Sequence, residues 1–243
     1  MSTRPRPAFY ALAPGGWRDY VTLLHLPYTL WHLSYVAIGA GLAPGLEAGR
    51  LLVALAAFAL AVGIGAHALD ELNGRPLRTQ ISNSVLVVLA ASSIGGAVAV
   101  GVYASLFYTP WLAPLVAAGA FVVCAYNLEL FGGRFHSDTW FAVAWGAFPL
   151  LAAYLAVAER ITAEALLAGV FAAFLSLAQR RLSTQVRAVR RRVAAVQGTI
   201  DLVDGSREPV SPETLIAAPE AALRALTVAV TALAAALLIF RLG

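Results

Sequence analysis

Long apolar runs recur along this chain and restrict the folds open to it. A helix of roughly 20 apolar residues crosses the hydrocarbon core of a bilayer and satisfies its own backbone hydrogen bonds there. Apolar residues make up 60% of the 243 residues and charged residues only 12%, which is too little polar surface for a soluble globule. We therefore predict an all-α, polytopic transmembrane bundle of about seven spans. They lie near residues 21–43, 51–70, 82–107, 110–130, 139–158, 161–179 and 218–240.

The arginines predict the orientation of the bundle. The chain has 17 basic residues, and all of them are arginine. Fourteen of these fall on one side of the seven-span arrangement, and only Arg50, Arg160 and Arg241 fall on the other. Cytoplasmic loops carry the excess of positive charge. We expect a multi-pass protein of the cell (inner, cytoplasmic) membrane with a cytoplasmic N-terminus. No cleavable signal peptide is evident, so the first span is expected to remain.

Composition argues against a retinal protein, against a nucleic-acid partner and against cysteine-based sites. A retinal protein needs a lysine for its Schiff base, and this chain has none. The net charge of +4 is explained by arginines that flank the spans, so no nucleic-acid partner is expected. Cys124 is the single cysteine and lies within an apolar run, which leaves neither a disulfide nor a cysteine metal site.

Three segments on the predicted cytoplasmic side hold most of the polar residues: 67–81, 127–138 and 179–216. In the third, apolar residues recur at helical spacing from Leu182 to Val203, with arginines mostly off that stripe. The pattern predicts an amphipathic helix at the headgroups within a loop of about 180–216, all in one transmembrane domain. Alternatively, some of these arginines hold a phosphate-bearing substrate.

The strongest candidate site follows the second predicted span, in the sequence HALDELNGRPLRT. On a helix, His67, Asp70 and Glu71 share one face and could hold a divalent metal. Carboxylates suit Mg²⁺, and His67 would shift the preference towards zinc, manganese or iron. Asn73 and Arg75 follow in a turn, within reach of an anionic group. The alternative is a capped helix end, in which an acidic residue pairs with Arg75 or Arg78.

A second polar turn follows the fourth predicted span. Tyr126 and Glu129 share a helix face, and Gly132-Gly133 make a turn before Arg134, His136 and Asp138. These charges could serve a site or could satisfy one another. In the first span, His25 and His32 are seven residues apart, and both could face one cavity.

These segments together resemble the UbiA superfamily of intramembrane prenyltransferases. HALDELNGR is similar to the family's first motif, N-D-x-x-D-x-x-x-D, with His67 at the asparagine position, Glu71 at the second aspartate and Arg75 at the third. HLPYTLWHLSYVAIGAGLA resembles the first helix of the family, and the segment from Tyr126 to Ala156 resembles its fourth-to-fifth helix region. The second aspartate motif is missing, since LAQRRLSTQVRAVRRR stands at the end of span six. The family usually has nine spans.

The resemblance implies a site for an isoprenyl diphosphate and, most directly, prenyl transfer to a lipid or aromatic acceptor. It implies catalytic roles for Asp70, Glu71, Asn73 and Tyr126, and Mg²⁺ held by Asp70 and Glu71 with His67 beside them. Arginine can hold phosphate without metal. The expected substrate-binding residues are Arg75, Arg78, Arg134, Arg180 and Arg181.

Two other functions fit the same residues. A membrane enzyme that modifies lipids could use a transition metal, held by His67, Asp70, Glu71, His136 and His32. A non-catalytic lipid-binding or scaffold protein could keep the bundle without metal chemistry. Membrane lipids are expected partners in every case, and a homo-oligomer or a partner membrane subunit is compatible with the small residues of the spans.

Overall fold

A computed structural model describes residues 6–243 as a helical bundle with one small hairpin. The eight helices of this part of the chain are α1 (Trp17–Leu23), α2 (Leu26–Leu42), α3 (Ala48–Leu72), α4 (Asn83–Phe107), α5 (Leu112–Asn127), α6 (Asp138–Ala158), α7 (Ala163–Arg192) and α8 (Pro212–Leu242). Strands β1 (Thr199–Asp201) and β2 (Arg207–Pro209) pair antiparallel between α7 and α8.

Five of these helices, α3, α4, α6, α7 and α8, are long and apolar enough to cross a membrane. The prediction of a helical bundle is therefore confirmed, and the five helices indicate a membrane protein by their length and composition. A helix also forms in each of the other two predicted spans, but α2 has 17 residues and α5 has 16. At 1.5 Å per residue these two reach about 24–26 Å, slightly less than the roughly 30 Å of a hydrocarbon core.

Helix α2 lies at the centre of the bundle and packs against α3, α6 and α8. Trp31 and Tyr35 are fully buried one helical turn apart, and the Trp31 indole donates to the Tyr35 hydroxyl at 2.7 Å. Gly39 lets the backbones of α2 and α6 touch, because a Cβ at this position would stand 2.1 Å from the Leu150 carbonyl oxygen. The first predicted span is thus the core of the molecule.

Helix α7 extends beyond the predicted end of its span. The prediction of a separate amphipathic helix is wrong, because the segment after residue 179 continues α7 without a break as far as Arg192. Its apolar stripe packs on α8, where Val186 meets Ile216 and Leu223. The second half of the predicted stripe is not helical, since Ile200 lies in β1 and Val203 is fully exposed in the hairpin turn.

Helix α8 begins earlier than predicted, at Pro212 rather than near residue 218. The Ser211 hydroxyl accepts from the Thr214 backbone N–H, and the Thr214 hydroxyl accepts from the Ser211 N–H. This capping box and the proline in the first turn fix the start of the helix.

Two of the long helices contain a π-helical segment, Ala59–Ala66 in α3 and Val143–Ala147 in α6. Wider turns of this kind are uncommon and frequently occur at functional sites. Both segments lie towards the end of the bundle that holds the polar segments 67–81 and 127–138.

Candidate functional site

A polar cavity lies where the polar segments 67–81, 127–138 and 179–216 meet. Its volume is about 880 Å³, including the space at its open mouth. It is bounded by the start of α2, the end of α3, the end of α5, the start of α6 and the second half of α7. The segment from Pro7 to Tyr10 also lines it. We refer to this space as the polar cavity.

The polar cavity unites residues that are far apart in the sequence. Of the candidates named from sequence, His67, Asp70, Tyr126 and Arg180 line it, together with His32 and His136. The carboxylate of Asp70 accepts no hydrogen bond and forms no ion pair within the described part of the chain. Its carboxylate is therefore available to a ligand.

Glu71 has a different position from its neighbour. It is fully buried, and its oxygens accept from the backbone N–H groups of Leu77 and Thr79 at 3.0 and 2.8 Å and from the Thr79 hydroxyl at 2.9 Å. These bonds fold the 73–82 loop back onto the end of α3. Both carboxylate oxygens are occupied by protein donors.

The other polar residues of this loop also hold it together. Arg75 adopts a left-handed backbone conformation, and its guanidinium donates to the carbonyls of Thr79 and Ile81 and to the Asn83 side chain. The Asn73 amide donates to the Asn127 carbonyl at 3.1 Å and joins the loop to the end of α5. Arg78 is exposed. None of the three lines the polar cavity.

Two arginines of α7 share one carboxylate at the edge of the cavity. Arg180 contacts one Asp138 oxygen at 2.7 Å, and Arg181 contacts the other at 2.8 Å. Arg180 also donates to the Tyr126 hydroxyl, so the end of α5 and the start of α6 are both bound to the middle of α7. Arg181 is largely exposed, and Arg134 is exposed outside the cavity.

Two cations of the cavity were candidates from the sequence only as members of the arginine run that could hold a phosphate-bearing substrate. Arg187 and Arg191 are four residues apart on α7 and both line the polar cavity. Neither forms an ion pair with an acidic residue in the described region 6–243. Arg187 donates to Thr184 at 3.2 Å, and Arg191 donates to the Pro7 carbonyl at 3.4 Å. The signal in the sequence was their spacing of four residues, which puts both on one helix face. Only the continuation of α7 past residue 179 places that face at the cavity.

Histidines line the inner wall of the cavity, and backbone carbonyls orient three of them. Nδ1 of His32 lies 2.8 Å from the Trp145 carbonyl oxygen, and Nδ1 of His67 lies 3.1 Å from that of Gly63. Nδ1 of His136 lies 3.1 Å from the Tyr126 carbonyl oxygen. Trp145 and Gly63 belong to the two π-helical segments. The wider turns therefore determine how two of these imidazoles face the cavity.

His25 is buried at the start of α2 in a left-handed conformation, with φ 45°. Its ring stacks on His67 with the centroids 4.0 Å apart, and its Nδ1 lies 3.1 Å from the Tyr10 hydroxyl. His25 therefore joins the start of α2 to the end of α3 at the wall of the polar cavity.

The polar cavity does not provide the donors of a metal site held by protein alone. Within residues 6–243, no group of three or more His, Cys, Asp or Glu side chains is arranged to hold a metal ion. Glu71 is bound to the loop and Asp138 to two arginines, which leaves Asp70 as the carboxylate that faces the cavity. A single carboxylate beside Arg187 and Arg191 suits a phosphate group better than a protein-held Mg²⁺.

An apolar crevice of about 770 Å³ lies deeper in the bundle, between α3, α4, α5 and α6. Ala61 and Val123 line the crevice, whereas Ala66, Tyr126 and Trp145 line the polar cavity. All five belong to one hydrophobic cluster. This cluster separates the two spaces.

Comparison of the chain with protein-family models, with curated proteins and with solved structures finds no match.

Proposed function

We propose that this membrane protein binds the phosphorylated headgroup of an isoprenoid lipid in its polar cavity, and that prenyl transfer from an isoprenyl diphosphate is its reaction. The observation that carries the proposal is the pair of arginines, Arg187 and Arg191, that line the cavity without an acidic partner in the described chain. Asp70 faces the same cavity and offsets one of their two charges, so the positive charge that is left favours an anionic ligand.

The chemistry of the guanidinium group supports a phosphate ligand. Arginine presents several N–H donors in a planar fork that matches two phosphate oxygens. Arg187 and Arg191 are partly buried, and water screens charges less in such a site than at the surface. Arg180 adds a third positive charge at the edge, although Asp138 balances part of it.

The apolar crevice supports a lipid ligand. Its lining is almost entirely aliphatic and aromatic, and its residues adjoin the cavity through one hydrophobic cluster. To reach the crevice, a chain attached to a phosphate in the cavity would displace side chains of this cluster, which are apolar or aromatic. Burial of each CH₂ group contributes about 0.8 kcal/mol to binding.

The proposed arrangement in the membrane has seven spans and a UbiA-like topology, with the polar cavity on the cytoplasmic side. Helices α2 and α5 would cross a slightly thinned or locally adapted bilayer, which costs a fraction of a kcal/mol per Å. Seven crossings would bring the starts of α2 and α6 and the ends of α3, α5 and α7 to the same side. These are the parts of the helices that bound the cavity, which supports the arrangement.

In the proposed reaction, the bond between the allylic carbon and the diphosphate oxygen breaks, and an acceptor forms a new bond to that carbon. Arg187 and Arg191 would stabilise the negative charge that develops on the leaving diphosphate. Tyr126 and Asp70 line the same space and would orient the reacting groups. No protein-held metal is required in this description.

A binding test separates the arginines of the cavity from those outside it. The protein is placed in lipid nanodiscs and titrated with geranylgeranyl diphosphate. We expect Arg187→Gln and Arg191→Gln each to weaken binding about tenfold or more, because a hydrogen bond to a charged group contributes about 1.5–3 kcal/mol. The matched control is Arg192→Gln, since Arg192 is exposed on the same helix and does not line the cavity. Equal effects of all three variants would contradict a specific phosphate site.

A second function, lipid binding without catalysis, is favoured by the engagement of Glu71 and Asp138 with protein partners. Pyrophosphate release from the bound diphosphate, measured with and without Mg²⁺, distinguishes the two. Release that is lost in Asp70→Asn supports transfer chemistry. Tight binding without release, in the presence of candidate acceptors, supports the non-catalytic function.

A further inference from the structure

Two buried side-chain polar atoms in the described region 6–243 have no hydrogen-bond partner, and both belong to residues that line the polar cavity. They are Nε2 of His25 and Oε1 of Gln179. Gln179 lies on the inner part of α7 and is 2% exposed. A buried polar atom left unpaired costs about 1–3 kcal/mol, so native structures rarely leave one without a ligand or water to satisfy it.

The orientation of the histidines adds further acceptors to the same wall. A carbonyl oxygen can only accept, so Nδ1 carries the proton in each imidazole that contacts one, and Nε2 of the neutral ring is then an acceptor. This applies to His32, bound to Trp145, and to His67, bound to Gly63. Both residues are at least nine-tenths buried and line the cavity. With Oε1 of Gln179, the inner wall offers three acceptors and lacks donors for them.

The part of the cavity lined by Arg187 and Arg191, which we call the outer wall, offers hydrogen-bond donors instead of acceptors. Arg187 and Arg191 offer guanidinium donors, and the only hydrogen bonds that they make in the described chain are the single ones to Thr184 and Pro7. A ligand that matches both walls carries an anionic group at one end and hydrogen-bond donors at the other. Hydroxyl groups are the donors that fit acceptors without introducing positive charge beside the arginines.

We propose that the polar cavity recognises a hydroxyl-bearing phosphate, with the phosphate at Arg187 and Arg191 and hydroxyl groups at Gln179, His32 and His67. A prenyl diphosphate has no hydroxyl group to offer at this wall. The hydroxyl-bearing phosphate is therefore an alternative ligand that competes with a prenyl diphosphate for Arg187 and Arg191, and this inference rests on the proposed phosphate site. Polyol and sugar phosphates are the simplest members of the class.

The test uses two soluble probes that differ only in their hydroxyl groups, glycerol phosphate and n-propyl phosphate. Each is titrated against the full-length protein in phosphatidylcholine nanodiscs. We expect glycerol phosphate to bind about tenfold more tightly, as two added hydrogen bonds would give. Equal affinity for the two probes would overturn this inference and leave the phosphate site intact. If neither probe binds, this inference fails, and the titration with geranylgeranyl diphosphate decides the proposed phosphate site separately.

Two variants assign the preference to the inner wall. His67→Asn keeps an amide nitrogen near the position of Nδ1, where it can still donate to Gly63, but it removes Nε2. Gln179→Met keeps the length of the side chain and removes its amide. Each variant is expected to reduce the ratio between the probes about threefold or more, with little change for propyl phosphate. A ratio that neither variant changes would overturn the assignment. Arg187→Gln is expected to weaken both probes equally.

A further experiment determines whether the natural ligand is a soluble phosphate or a lipid headgroup. Nanodiscs that contain phosphatidylglycerol present a phosphate with hydroxyl groups, and those with phosphatidylethanol present the same charge without them. If the natural ligand is a headgroup, phosphatidylglycerol alone lowers the apparent affinity for glycerol phosphate. If it is a soluble phosphate, the two lipids have equal effects.

Discussion

At the scale of single residues, Asp70 and Glu71 are adjacent acids with separate roles. Glu71 accepts three hydrogen bonds from the 73–82 loop, whereas Asp70 faces the polar cavity without a partner in the described chain. One alternative from the sequence was a capped helix end in which an acid pairs with Arg75 or Arg78, but Glu71 caps this end through backbone donors instead. The donors to Glu71 are chiefly backbone N–H groups, which leave no signature in residue type.

Replacement of these acids is expected to separate stability from binding. Glu71→Gln sets an amide N–H₂ against the N–H donors of the loop and should cost about 2 kcal/mol or more of unfolding free energy. Asp70→Asn should leave stability within about 0.5 kcal/mol. Thermal unfolding in nanodiscs measures both, with Glu208→Gln in the exposed hairpin as the control. Equal destabilisation by Glu71→Gln and Asp70→Asn would contradict the separate roles of the two acids.

At the scale of helices, the existence of each long helix was predictable, but the short α1, the hairpin and the helix ends and contacts were not. Hydrophobic runs located every long helix, since apolar residues must be kept from water or face lipid. The run of arginines concealed the continuation of α7, because charge usually marks the end of a span. That continuation brings Arg187 and Arg191 to the cavity. The π-helical turns that orient His32 and His67 have no recognisable pattern in the sequence.

Glycine contacts between helices provide a test of the packing. A Cβ at Gly146 would stand 2.5 Å from the Ala172 backbone oxygen, so Gly146→Ala should push α6 from α7 at a cost of about 1–3 kcal/mol. Gly95→Ala on α4 is the matched control, since a Cβ there meets nothing within 4 Å. It should be neutral or slightly stabilising in a helix. Unfolding curves that rank the two variants in the opposite order would contradict the packing.

At the scale of the whole molecule, arginine asymmetry and cavity position predict the same orientation. The polar cavity lies at the arginine-rich end, which the proposal places in the cytoplasm. A protein with Cys124 replaced by Ala can carry one new cysteine at either end, Val203→Cys in the hairpin or Gly45→Cys between α2 and α3. A membrane-impermeant maleimide should label Gly45→Cys in intact cells and Val203→Cys only in inverted vesicles. The reverse pattern would place the cavity outside.

The meeting of three separate turns in one cavity was the part of the site that sequence could predict. Helices of alternating direction bring the ends of spans two, four and six to one side, where Asp70, Tyr126 and Arg180 line a common space. Side-chain engagement within that space was not predictable. Arg75 is a candidate ligand by its position in the sequence, yet it holds the carbonyls of its own loop.

The most direct test of the account is the structure of the protein in nanodiscs with a non-hydrolysable geranylgeranyl thiodiphosphate. We predict diphosphate density in the polar cavity, with oxygens at hydrogen-bond distance, about 2.9 Å, from the guanidinium groups of Arg187 and Arg191. The prenyl chain should enter the apolar crevice past Tyr126 and Trp145. Diphosphate density outside the cavity, or inside it but remote from both arginines, would contradict the account.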